Sequence, residues 1–133
     1  MGLVLSENQH IKTLLLLSLF FTGSAWAEWI RVSQTNTETF YIDPATIRKE
    51  GNLRTVWSIS DLKQRKPDGS MSSRTRMKFD CKNERVSLMS LSKHSEAMAA
   101  GNVLIRHQYD SDDWSDVPPE AAADDILKIV CAK

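Results

Sequence analysis

Residues 74–81 read Arg-Thr-Arg-Met-Lys-Phe-Asp-Cys, a strict two-residue alternation that ends on one of only two cysteines in the chain. Side chains alternate across a β-strand, so this run predicts a strand with Thr75, Met77, Phe79 and Cys81 on one face. Arg74, Arg76, Lys78 and Asp80 fall on the other. One face then needs a cover that makes it a core, and the other meets water as a basic surface. Because Cys81 lies on the core side, the partner of its sulfur is expected on whatever element covers that core.

The partner cysteine is Cys131, and the redox setting comes from the start of the chain. Residues 13–21 form an uncharged run, Thr-Leu-Leu-Leu-Leu-Ser-Leu-Phe-Phe, preceded by Lys12 and followed by Ala25-Trp26-Ala27. A charged start, a short apolar run and an Ala-x-Ala exit predict a secretory signal peptide over residues 1–27. The run falls well short of the roughly 20 apolar residues that a membrane-spanning helix needs, so no stable span is expected after cleavage. No Cys stands at the exit, so a lipid-modified terminus is not expected either. The folded unit is then residues 28–133, one domain of 106 residues. An even pair of cysteines in an exported chain reads as a disulfide, here closing a loop of about 51 residues. Loop entropy alone assigns such a bridge roughly 4 kcal/mol as an upper value.

Most of the remaining chain also alternates with period two. Residues 29–33 and 39–42 predict two short strands, separated by a polar turn. Asp43-Pro44-Ala45-Thr46-Ile47 predicts one helical turn capped by Asp43. Residues 53–62 predict a long strand, and Pro67-Asp68-Gly69 a turn that folds it back onto the strand of residues 72–81. A further strand starts at Arg85, its alternation breaking near Met89-Ser90 as at a bulge. Residues 102–109 predict the last strand, with Val103, Ile105 and Tyr109 inward. From Pro119 and Glu120 the composition turns helical, and Ala123, Ile126, Leu127, Val130 and Cys131 make one stripe. The assembled expectation is an α+β domain: an antiparallel sheet of about six strands with a C-terminal helix packed on one face, tied there by Cys81–Cys131.

The ordered series Trp29, Tyr41-Ile42-Asp43-Pro44-Ala45-Thr46-Ile47-Arg48, Val56-Trp57, Phe79-Asp80-Cys81, Met98-Ala99-Ala100-Gly101-Asn102-Val103, Trp114, Val117-Pro118 and Cys131 resembles the surface-adhesin protein E family of Gram-negative bacteria. The resemblance covers nearly all of the mature chain. It implies the same sheet with a disulfide-held helix, a location outside the cytoplasm, adhesion to host or matrix proteins, and homodimers.

Charge and motifs narrow the function classes further. With 17 Lys+Arg against 17 Asp+Glu the chain carries no net charge, which argues against a nucleic-acid partner. The charge is unevenly placed: residues 48–93 hold 12 basic and 5 acidic side chains, residues 94–133 hold 3 and 8. No His-Glu-x-x-His, Gly-x-Ser-x-Gly, phosphate-cradling loop or dinucleotide fingerprint is present, and no nucleophile has an identifiable base beside it. The expectation is a protein that is not an enzyme, with no cofactor and no metal; His94, His107 and the aspartates 110, 112 and 113 match no ligand spacing.

The candidate binding residues are Arg74, Arg76 and Lys78, with Arg54 added from the neighbouring strand and Trp114 as an aromatic anchor. Such a cationic row suits sulfated glycans, acidic lipid head groups or an acidic protein segment; it also suits a plain solvated strand face. Trp29 and Trp57 are expected in the core, and Trp114 either at the surface or against the helix. The acidic stretch 110–125 is expected to neutralise the row within the monomer or across a dimer interface, or to meet solvent. The resulting expectation is an exported adhesin-like protein that binds a host matrix protein or an acidic ligand through an exposed sheet face. The alternative is a soluble periplasmic structural or accessory protein whose partner is another envelope component. The location is extracytoplasmic in either case: periplasm, cell surface or secreted.

Overall fold

The computed structural model describes residues 27–132. All of the expected leader except Ala27 lies outside that range. Among the described residues, eight strands join in one antiparallel sheet. Six run in the order β1 (Ile30–Gln34), β2 (Glu38–Ile42), β4 (Leu53–Leu62), β5 (Ser72–Asp80), β6 (Arg85–His94) and β7 (Val103–Gln108). The short β3 (Arg48–Glu50) pairs with the start of β4, and β8 (Ser115–Asp116) with the start of β6. One helix, α1 (Ala122–Val130), follows.

The turns form where their chemistry dictates. Asp43 caps the 3-10 turn Pro44–Thr46 by accepting from the Ala45 backbone N–H at 3.1 Å. In the β4–β5 connection the Asp68 carboxylate accepts from both the backbone N–H and the hydroxyl of Ser70, at 2.9 and 2.6 Å, and Gly69 takes φ +87°. The Lys93 ammonium, 3.0 Å away, adds to the Ser70 bonds in holding the Asp68 carboxyl well below its ordinary range. Between β5 and β6 the register steps from Arg76↔Ser90 to Met77↔Leu88, leaving Met89 unpaired. This is the expected bulge.

The core lies between the sheet and α1. Ile126, Leu127 and Val130 of the helix form one buried cluster with Ile42, Val56 and Phe79 of the sheet, ringed by Val32, Met77, Val86 and Ala123. Cys81 and Cys131 are bonded, their α carbons 5.6 Å apart, so the helix C-terminus is fastened where β5 ends. The helix begins at Ala122, later than the Pro119-Glu120 start the composition predicts, because Glu120 takes φ 65° and breaks the helical path.

A second expectation is corrected at the far edge. β7 is exposed along its whole length, with Val103 40%, Ile105 53% and Tyr109 38% accessible instead of inward. Nine helical residues span about 14 Å, whereas six strands spread over about 24 Å. The helix packs toward β1, so the β7 edge has no cover from it.

Candidate functional site

Residues directly opposite each other in an antiparallel pair share a face of the sheet. Across β4 and β5 the register sets Thr55 opposite Lys78, Trp57 opposite Arg76 and Ile59 opposite Arg74. Across β5 and β6 it sets Arg74 opposite Ser92 and Arg76 opposite Ser90. Across β6 and β7 it sets Ser92 opposite Arg106 and Ser90 opposite Gln108. All of these lie on the face turned away from α1. Arg74, Arg76 and Lys78 therefore form one row, as the alternation predicts.

Arg54 does not join it. It pairs with Phe79, whose side chain is core, so it belongs to the helix face and is only 6% exposed. Its guanidinium donates to the carbonyls of Gly51 and Leu53 at 2.8 and 2.9 Å. The cross-strand register decides which face each side chain of a strand joins, and here it separates Arg54 from the row. Trp57 is corrected in the opposite sense. It sits half-buried on the open face, with the Arg74 guanidinium 4.2 Å from its ring centroid.

Two loops frame this face. At the Ser72 end, the segment through Ala97–Ala99 folds over it: the Ser72 hydroxyl donates to Glu96 O at 2.6 Å and accepts from the Ala99 N–H at 2.9 Å. The Asp61 carboxylate accepts from the Met98 N–H at 2.9 Å. Gly101 makes the return possible, with φ +75°, where a Cβ would lie 2.3 Å from Ser95 Oγ. At the other end, the Ser87 hydroxyl donates to Ser111 O at 2.9 Å and holds the loop that carries Trp114. The Trp114 ring lies 5.1 Å from Lys78 Nζ and 5.2 Å from Arg85 Cζ. Trp114 thus joins the basic row instead of the helix.

The row keeps its charge. Among the described residues the ion pairs are Arg65–Glu96, Arg85–Asp80, Lys93–Asp68 and Lys128–Asp124, and none includes Arg74, Arg76, Lys78 or Arg106. The aspartates of the 110–116 loop are exposed to solvent instead, with Asp110 accepting from the Asp112 N–H at 3.0 Å. Arg74 Nε is buried with no hydrogen-bond partner.

Arg106 is the residue the sequence reading missed. Its signal was present, since the alternation of β7 turns it away from Ile105, but only the register places it beside Ser92 and Arg74. Trp57, Arg74, Ser90, Ser92, Arg106 and Gln108 line an open cleft of about 130 Å³. Beside it His94 is 7% exposed and shares a 2.8 Å hydrogen bond between Nε2 and Ser92 Oγ. Burial first, then the positive charges of Arg106 and Arg74, push the His94 imidazole below its ordinary pKa. His107, by contrast, lies opposite Leu91 on the helix side of the sheet, edge-on to Tyr109 at 4.4 Å. Among the described residues no three His, Cys, Asp or Glu side chains come close enough to hold a metal ion. Among them, too, no helix is long and apolar enough to cross a membrane.

The face is thus a polar platform with fixed cations, two indole rings and a small cleft, suited to holding an anionic group. A family model described as surface-adhesin protein E matches residues 29–132. Among solved structures, crystal form II of Haemophilus influenzae protein E is similar with a TM-score of 0.58 and 16% identity, covering 82% of this chain and 91% of that one. A second structure of Haemophilus influenzae protein E gives 0.57 and 16% over 82% and 87%. Protein E from non-typeable Haemophilus influenzae gives 0.52 and 17% over 84% and 79%. At such identities the likeness is one of fold. Comparison with curated protein sequences gives no match.

Proposed function

The chain belongs to the surface-adhesin protein E family, and from that premise we propose that it is an exported, adhesin-like binding protein. Its open sheet face, through Arg74, Arg76, Lys78 and Trp114, takes an acidic surface of a host matrix protein. A signal peptide over residues 1–27 delivers it across the inner membrane, leaving residues 28–133 as the working domain. One observation supports the binding face above all: three cations in a row on a solvent-facing strand, with no carboxylate partner among the described residues. The neighbouring 110–116 loop supplies acids in number, yet none of them pairs with the row.

The test has two parts. Mature protein is applied to immobilised basement-membrane extract, beside the Arg74→Gln/Arg76→Gln/Lys78→Gln variant. Wild type is expected to bind, with the signal falling as salt rises, and the variant to lose at least tenfold in affinity. Equal binding by the two proteins would defeat the reading. Protease applied to intact and to permeabilised cells then gives the location. Digestion on intact cells supports surface display, and protection until permeabilisation would shift the partner to an envelope component.

A further inference from the structure

Arg74, Ser92 and Arg106 stand side by side on three adjacent strands, on one face of the sheet. The strand spacing puts the two arginine α carbons about 10 Å apart, with the Ser92 hydroxyl between them. Trp57 fixes Arg74 from beneath by stacking, while Arg106 is exposed, and both side chains line the 130 Å³ cleft together with Ser90 and Gln108. Neither guanidinium has a counter-charge among the described residues. Two forked donors and two hydroxyls around such a space suit one carboxylate.

From this cleft the row continues along β5 through Arg76 to Lys78, one cation every second residue, hence about every 7 Å. An extended polypeptide projects alternate side chains with that same repeat. The framing loops leave room for three such positions, because the segment through Ala97–Ala99 closes the Ser72 end and Trp114 stands beside Lys78 at the other. Building on the functional reading above, we infer that the ligand is an extended acidic polypeptide segment with carboxylates at alternate positions. The first carboxylate anchors between Arg74 and Arg106, and the next two lie over Arg76 and Lys78. A glycan carries its charges on sugar rings and does not impose this two-residue repeat.

Two acetylated hexapeptides of one composition test the inference on the mature chain: Glu-Ser-Glu-Ser-Glu-Ser and Glu-Glu-Glu-Ser-Ser-Ser, titrated calorimetrically at low salt. The alternating peptide is expected to bind at least fivefold more tightly. Arg106→Gln, an exposed substitution outside the β5 row, is expected to weaken it about tenfold by removing one of the two guanidinium groups that hold the first carboxylate, while the preference set by the β5 repeat persists. His94 supplies a second readout by NMR, since a carboxylate seated in the cleft offsets the two arginine charges and raises the imidazole pKa. Equal affinity for the two peptides, or an Arg106→Gln variant that binds as wild type does, would overturn the inference. So would binding of a sulfated tetrasaccharide with neither peptide bound. If matrix binding still depends on Arg74, Arg76 and Lys78 while the peptides fail, this inference alone falls. Matrix binding that survives the triple substitution overturns the functional reading instead, a separable failure because the peptides are titrated on isolated protein.

Discussion

The Arg74 guanidinium stacks over Trp57, 4.2 Å from the ring centroid, although the residue directly opposite Trp57 is Arg76. The contact is therefore diagonal across β4 and β5, and it leaves Arg76 free to face outward. Half-buried cation–π pairs contribute about 0.5–1 kcal/mol, more when desolvated. A double-mutant cycle with Trp57→Leu and Arg74→Gln, read by urea unfolding, is expected to return a coupling of that size. A coupling of zero would mean that Trp57 does not hold Arg74 in place.

The bond between Cys81 and Cys131 joins the end of β5 to the end of α1. A helix of nine residues is too short to persist alone, so its order depends on docking. Replacing both cysteines by serine is expected to cost up to about 4 kcal/mol. For a domain near 100 residues that lowers Tm on the order of 15 °C. Thermal unfolding followed by circular dichroism measures it, and an unchanged Tm would remove the structural role assigned to the bond.

The six long strands, the bulge near Met89 and the two faces of β5 were legible in the sequence because each follows from local alternation or turn chemistry. The disulfide was legible because two cysteines stand in a chain read as exported. The two- and three-residue strands β8 and β3 are too short to show a period. What was not legible depended on register and reach. Arg54 was misplaced because the partner strand's parity, not its own sequence, puts it opposite Phe79. The inward assignment of Ile105 and Tyr109 failed because periodicity shows which residues share a face, not whether a nine-residue helix extends over it. That of Val103 failed because a register shift sets it opposite His94, on the other face. Arg106 entered the candidate site for a related reason: its neighbours there come from strands that are distant in sequence.

Asp80 gives the fold an acid dependence that can be signed. Its carboxylate accepts from Asn83 Nδ2 at 2.8 Å and from Arg85 at 2.9 Å, with further bonds from the backbone of Lys82 and Asn83. The Asn83 side-chain bond first, then the Arg85 guanidinium, lowers its pKa from an ordinary 3.8 to about 2. A depressed carboxyl stabilises the fold fully above the unfolded value and loses that contribution as pH falls through the folded one. Stability is therefore expected to decline between pH 4 and 2, and Asp80→Asn to flatten part of that decline while lowering stability at pH 7. Asp68, whose pKa is also lowered, accounts for a further part of the slope. Chemical unfolding at a series of pH values tests this, and parallel curves for wild type and variant would refute it.

The uncovered edge makes a contrasting prediction about two hydrophobic residues that the sequence reading treated alike. Phe79 is fully buried in the cluster beneath α1, whereas Ile105 is 53% exposed on β7. Phe79→Ala removes a buried ring and leaves a cavity, at an expected cost of about 3–5 kcal/mol. Ile105→Ala removes few packed atoms, and its cost is expected to stay within about 0.5 kcal/mol, as for surface substitutions generally. Urea unfolding of the two variants at matched, low protein concentration separates the cases. A cost above about 2 kcal/mol for Ile105→Ala would mean that the β7 face is covered in solution, either by the chain itself or by a second copy, and that the edge is not free.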